Sequence, residues 1–259
     1  MGDEKKHCKT IYLLQRETDL KLILRDVKIG AQEESNAIYG LEMSKGTTLQ
    51  IELIGKNVLE GGNGADGDHS DGGFGWAGIN LAHLNDNYGI NIEFSGNGSL
   101  EIYGGAGGKG ADGQDDGFEN LTDAKERKGF RGGLGGGGIR CGKITIKDSP
   151  EINIHGGSGG DGGRGGNSAG DGTGFIDKVF EFVIANKKRG GDGGKGGDGG
   201  KGLLIVGAVA PELDVSSKLT YIGGRGGYGG DGGNGFENKE SLAGKNGEMG
   251  SDGYGCSQW

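Results

Sequence analysis

Apolar and polar residues alternate along this chain in short runs, and then the apolar residues disappear. In DLKLILRDVKI (19–29), Leu20, Leu22 and Leu24 alternate, Arg25-Asp26 interrupts, and Val27 and Ile29 resume the alternation. The same figure returns in TTLQIELIGKNVLEGG (47–62), GINIEFSGNGSLEIYGG (89–105) and GKITIKDSPEINIHGG (142–157), and in shortened form in SKLTYIGG (217–224). A period of two predicts strands. SGNGS (95–99) and KDSPE (147–151) carry the residues of tight corners. The inward set is read as Leu22, Leu24, Ile51, Leu53, Ile92, Phe94, Leu100, Ile102, Ile144, Ile146, Ile152 and Ile154.

Each pair of strands is followed by a polar excursion, and each excursion ends in a third short apolar run: NAIYG (36–40), WAGINL (76–81), GGGIRC (136–141) and GKGLLIVG (200–207). The excursion always leaves and returns at the same point of the repeat. It lengthens along the chain, from about seven residues to roughly 15, 30 and 45. Insertions confined to one point of a repeat map to one face of a solenoid. The expected fold is therefore all-β: a right-handed parallel β-helix with stacked excursions from one corner. It forms a single domain over 1–259, with a cap at 1–18, coils at 19–224 and a glycine-rich excursion or tail at 225–259, of which 236–259 reads as the last, unclosed excursion.

The text LILRDVKI, WAGI and INIEFSGNGSLEIYGG resembles bacterial right-handed β-helix surface proteins of the carbohydrate-binding type, over roughly residues 19 to 224. That resemblance implies a non-catalytic, glycan-binding surface protein. The chain departs from the family in its long excursions.

Those excursions hold most of the 66 glycines. In 156–166, 190–201 and 223–235 the frame is GG-x, with single residues such as Ser158, Asp161 and Arg164 recurring every third position. Period three is that of the polyproline-II helix, which has no internal hydrogen bonds. Its N–H and C=O groups must pair with neighbours, and bare glycine faces allow close approach. The expectation is an array of polyglycine-II arms held in register by the coils. Such arms resemble those of T-even-type phage tail-fibre adhesins and of snow flea antifreeze proteins. The resemblance implies receptor-binding tip loops, although the adhesins' aromatic attachment region and the antifreeze proteins' disulfides have no counterpart here.

Composition excludes several classes. With only 2 prolines the chain is not collagen. A net charge of −9 without a basic tract beyond KKR (187–189) gives no footprint for nucleic acid. No apolar run is long enough for membrane insertion. The N-terminus shows no apolar signal segment. The location stays open: synthesis in the cytoplasm, with particle association or export by a non-standard route. Cys8, Cys141 and Cys256 form no C-x-x-C pair, which fits a reducing compartment better than a disulfide framework.

The search for chemistry yields little. His7, His69, His83 and His155 belong to no metal or nucleophile motif. His69 lies among Asp66, Asp68 and Asp71 in an acidic stretch. GGNGAD (61–66), GGKGAD (107–112) and GGSGGD (156–161) match the start of the calcium repeat but lack its hydrophobic position, so calcium is the weaker reading and no cofactor is expected. Asp115 and Asp116 read as solvated neighbours rather than a catalytic pair. Aromatic residues at the expected tips are the ligand-binding candidates: Phe74, Trp76, Phe118, Phe130, Tyr228, Tyr254 and Trp259, with Phe236 beside them. The expected function is a display scaffold whose tips bind a surface glycan or receptor protein. Two further readings are a structural subunit of a fibre, sheath or phage particle that associates end to end, and an ice-binding protein.

Overall fold

A computed structural model of the protein describes residues 10–14, 18–30, 34–40, 43–83, 88–115, 127–168, 190–206, 212–213, 218–234, 243–254 and 256–258. Its elements are all strands. They run β1 (Ile11–Tyr12), β2 (Leu20–Arg25), β3 (Lys28–Gly30); β4 (Ile38–Tyr39), β5 (Thr48–Ile54), β6 (Lys56–Glu60); β7 (Ile79–Asn80), β8 (Ala82–His83), β9 (Tyr88–Gly89), β10 (Asn91–Gly96), β11 (Ser99–Tyr103); β12 (Ile139–Cys141), β13 (Ile144–Ile146), β14 (Glu151–His155); β15 (Leu203–Ile205), β16 (Glu212–Leu213), β17 (Lys218–Ile222) and β18 (Cys256–Gln258). β8 and β9 form a small antiparallel pair. All the others lie in three parallel sheets. Sheet A is β1-β4-β7-β12-β15-β18, sheet B is β2-β5-β10-β13-β16 and sheet C is β3-β6-β11-β14-β17. The chain visits the sheets in the same order each time, so sequence repeats become lateral neighbours.

Register follows the hydrophobic alternation. Leu22, Ile51, Phe94 and Ile146 stand side by side in sheet B. Leu59, Ile102 and Ile154 do so in sheet C, as do Ile38, Ile79, Ile139 and Leu203 in sheet A. These rows form one buried cluster. All twelve residues of the expected inward set are buried except Leu22, which is half-buried in the first row of sheet B.

The corner between sheets B and C repeats one device, a residue in the left-handed region: Asp26 (φ 51), Gly55 (φ 66), Gly96 (φ 97) and Asp148 (φ 62). Only Gly, Asn and Asp adopt it cheaply. The Asp carboxylates also hold adjacent corners together, because Asp26 accepts the Lys56 N–H at 3.0 Å and Asp148 accepts the Gly96 N–H at 2.9 Å. Gly55 is fixed twice over, by its φ and because a Cβ there would overlap the Asp26 carboxylate. Asn57 is buried at the same corner. It accepts the Val27 N–H and donates to the Ile54 and Ser99 carbonyls, so its polar side chain is satisfied.

Every glycine-rich excursion leaves after a strand of sheet C and returns before a strand of sheet A. The outward arms are 61–67, 104–115, 156–168 and 223–234, and the return arms are 71–77, 127–137, 190–201 and 243–254. Hydrogen bonds follow the period of three. The first glycine of each triplet donates to the next arm of its own kind: Gly64 to Ala106, Gly107 to Ser158 and Gly159 to Arg225, each at 2.8 Å. The second donates to the preceding arm of the opposite kind: Gly160 to Gly133, Gly194 to Gly163 and Gly227 to Gly197, again at 2.8 Å. Outward arms thus form one layer and return arms a second, bonded face to face.

The doublets are needed because both glycine positions face backbone. A Cβ on Gly159 would overlap the Gly197 carbonyl across the layers, and one on Gly160 would overlap the Gly108 carbonyl within its layer. Side chains appear at the second position only where the preceding arm of that layer is absent or already turned. Ala65 and Trp76 lie on the first arm of each layer. Ala111, Gln114 and Phe130 reach past the shorter arms before them, which turn at 68–70.

The third position faces outward, and its N–H would point to solvent. A neighbouring Asp or Asn accepts it instead: Asp66 from Lys109, Asp112 from Arg164, Asp161 from Tyr228, Asp71 from Arg131 and Asp198 from Ser251, at 2.7–2.9 Å. Asn63 and Asn167 do the same for Ala106 and Asn234. The Arg164 and Ser251 N–H groups hold the Asp112 and Asp198 carboxyls below the ordinary value of 3.8. A carboxyl lowered in the folded state stabilises above its unfolded value, and that stabilisation is lost as pH falls through the folded value. Thermal midpoints are therefore expected to fall on acidification below the ordinary aspartate range. Asp198→Asn keeps the acceptor and should flatten this acid limb. Asp198→Ala should cost about 0.5–1.5 kcal/mol at neutral pH. Melting curves of the three proteins across pH check both expectations.

The C-terminal excursion corrects the sequence reading. It is not open: β18 pairs with β15 in sheet A, and Gly244, Gly247, Gly250 and Gly253 donate to Gly233, Gly230, Gly227 and Gly224. Doublets vanish there: among the described residues no arm lies beyond this one, so the first position admits side chains. Two of these, Asn246 and Asp252, turn back to accept the Gly232 and Gly226 N–H groups. Likewise residues 10–12 are not only a cap, since β1 already pairs with β4. The apolar stretch FIDKVFEFVI (175–184) lies outside the described residues.

Candidate functional site

The aromatic candidates are arranged by arm geometry. Phe74 sits at a third position of the first return arm and Trp76 at a second position, with 67% and 37% of their surfaces exposed. Both lie on the arm between the turn at 68–70 and β7, Trp76 nearer the strand. Their backbone is fixed, because Gly75 donates to Leu134 at 2.8 Å and Trp76 to Gly62 at 2.9 Å. Tyr228 lies along the last outward arm and Tyr254 along the last return arm, both largely exposed, and Phe130 is half-buried on the second return arm. These five residues therefore line arms rather than occupy turns: Phe74, Tyr228 and Tyr254 stand at outward third positions, and Trp76 and Phe130 at second positions. Phe118, Phe236 and Trp259 lie outside the described residues.

Phe74 and Trp76 border a groove of about 290 Å³ between the first two return arms and the outer side of sheet A. Leu134, Asn36, Asn80 and Arg140 complete it. Arg140 is the outward residue of β12, between Asn80 of β7 and Leu204 of β15. Its guanidinium lies where a side chain at position 137 would project: a Cβ on Gly137 would come within 3.1 Å of the Arg140 Nε. Gly137 stands at a third position, where the neighbouring arms carry side chains, so its lack of one leaves room for Arg140. Burial pushes the Arg140 guanidinium down from its ordinary value, with no carboxylate contributing. Asn36 is buried and accepts the Ala77 N–H at 2.9 Å. The groove is thus apolar and aromatic on the arm side and cationic on the sheet side.

The acidic motifs have a structural explanation. Asp66, Asp112 and Asp161, the aspartates of the three calcium-like matches, all accept backbone N–H groups of the next arm. Asp115 accepts the Asn167 N–H and faces Arg164. His69 is exposed at the first turn, 3.7 Å from Asp68. His155 stacks on Tyr103, with ring centroids 4.8 Å apart, and lies 3.5 Å from Glu101. Among the described residues no group of three or more His, Cys, Asp or Glu could hold a metal ion. Among them, too, no helix is long and apolar enough to cross a membrane. Cys141 is buried in the core.

Sequence reasoning picked out Phe74 and Trp76 but missed Arg140, Asn36 and Asn80. The signal for Arg140 was present as a lone cation at the centre of a three-residue strand, with GGGG before it.

No family model and no curated protein matches the chain. Among solved structures it is similar to the springtail antifreeze protein from Granisotoma rainieri, a bundle of nine polyproline type II helices. Identity is 19%, coverage is 75% of this chain and 94% of that one, and the TM-score is 0.15. A likeness at that score carries no argument about fold or function.

Proposed function

We propose that the three sheets close into a single right-handed parallel β-helix domain, that the arms are polyglycine-II helices, and that the protein is a non-catalytic scaffold presenting aromatic side chains to a surface glycan or receptor protein. The observation that carries this reading is the pairing of exposure with fixed backbone at Phe74 and Trp76. Rigid aromatic anchors lose little entropy on binding, and apolar ring surfaces are the residue type that dominates such contacts. The test is a glycan panel and whole-cell binding with the intact protein. Specific binding is expected, and Phe74→Ala/Trp76→Ala should weaken it at least about tenfold. A protein that binds no glycan and no cell sinks the reading.

A second reading, self-association into a fibre, has one observation in its favour. Tyr221 stands in register with inward Ile154 yet is 38% exposed on the terminal strand of sheet C, beside Ile222 at 52%. Sheet ends invite strand pairing. Filaments in electron micrographs of the purified protein would favour it over the display scaffold.

A further inference from the structure

We infer that the groove between the first two return arms and sheet A takes a carboxylate-bearing sugar unit, with its carboxylate on Arg140 and its ring against Trp76 and Phe74. This rests on the glycan-binding reading above and names the chemical class and the subsite.

The groove is distinctive in its charge balance. Most cations of the array are already engaged: Arg131 bonds Asp198 at 3.0 Å, Lys109 lies 3.3 Å from Asp112, and Arg164 faces Asp115. Arg140 differs. Among the described residues neither a carboxylate nor any hydrogen-bond acceptor partners its guanidinium, and it is half-buried beside Leu134 and Leu204. A guanidinium is a fixed fork of donors suited to a carboxylate. Removing such a cation from water without a partner is costly, so the groove is electrostatically incomplete and an anion completes it. The remaining polar lining is neutral, from Asn36 and Asn80. Asn36 and Asn80 already spend their side-chain oxygens on the Ala77 and Ala82 N–H groups, which leaves their NH₂ donors. Donors without acceptors select carboxylate and hydroxyl oxygens. The opposite wall supplies Phe74, Trp76 and Leu134, which suit the apolar face of a ring. A volume of about 290 Å³ is at the lower limit of small-ligand sites, which favours one ring over an extended chain. Gly137 preserves the space for Arg140, and the return arms hold the aromatic wall in place through the Gly75 and Gly135 N–H bonds.

The experiment titrates the full chain, carrying Trp259→Phe so that Trp76 is the sole indole, with glucuronate and with glucose, and reads tryptophan emission. Saturable quenching by glucuronate is expected, with glucose at least about tenfold weaker. Arg140→Met, which keeps the stem and removes the charge, should abolish the preference, and Phe74→Ala should weaken both sugars while leaving the Trp76 emission to report it. If Arg140→Met does not fold, ionic strength replaces it: salt should weaken glucuronate and leave glucose unchanged. Equal response to the two sugars, no saturation, or response only to a glutamate-containing peptide overturns the inference. Specific cell or glycan binding that survives Arg140→Met also overturns it while leaving the display scaffold standing. Loss of all glycan binding on the panel with glucuronate binding intact overturns the scaffold and keeps the groove.

Discussion

Replacing Gly160 with alanine should destabilise the protein by at least about 3 kcal/mol, through overpacking and lost backbone hydrogen bonds. Gly160 faces three neighbouring arms. Its N–H donates to Gly133, its carbonyl accepts from Gly197, and its missing Cβ leaves room for the Gly108 carbonyl. One methyl group must therefore push one arm from its own layer and strain the bonds to the other. Ser158, two residues earlier, faces outward and is exposed, so Ser158→Ala should stay within about 0.5 kcal/mol. Denaturant unfolding measures both. Amide exchange locates the effect: the Gly194 and Gly197 N–H groups, protected in the parent, should exchange faster in Gly160→Ala. If the two substitutions cost the same, the close approach of glycine backbones is not what holds the array.

Phe94→Ala should cost about 3–5 kcal/mol, the range for removing a fully buried aromatic ring. Phe94 has no exposed surface and stands in register between Ile51 and Ile146 in the middle of sheet B. Neighbouring Glu93 faces out and meets Lys147 at 2.7 Å. An exposed ion pair of this kind contributes about 0–1 kcal/mol, so Glu93→Ala serves as the control. Unfolding midpoints with unchanged slope separate a stability effect from a change of the unfolded state. Measured together, the Gly160 and Phe94 variants tell whether the array and the sheets unfold as one unit. A single shared transition in both means that they do.

The strands were legible because one physical rule, burial of alternate side chains, sets both pattern and register. Ile51, Phe94 and Ile146 belong to the inward set read from the alternation, and they pair side by side in the structure. The arms were legible from the GG-x frame for the same kind of reason, since two faces of each arm meet backbone. The rule failed where the neighbour was missing. The last return arm has only one glycine in three, so it read as an unclosed tail, although Gly244, Gly247, Gly250 and Gly253 keep the phase. The aspartates read as turn or metal residues because sequence shows their type and not the N–H they face. The groove was legible only by halves. Phe74 and Trp76 stand out by composition, while Arg140 joins them through lateral pairing of strands far apart in the chain.

The substituted edge of the final arm has a further consequence. Asn246, Met249 and Asp252 occupy the positions through which every earlier arm recruits its successor. By folding two of those side chains back onto Gly232 and Gly226, the chain seals a surface that would otherwise template another molecule's glycine arm. Replacing Asn246, Met249 and Asp252 by glycine is therefore expected to bare that edge, and a rise in apparent mass with concentration on size-exclusion chromatography checks whether it recruits a second molecule.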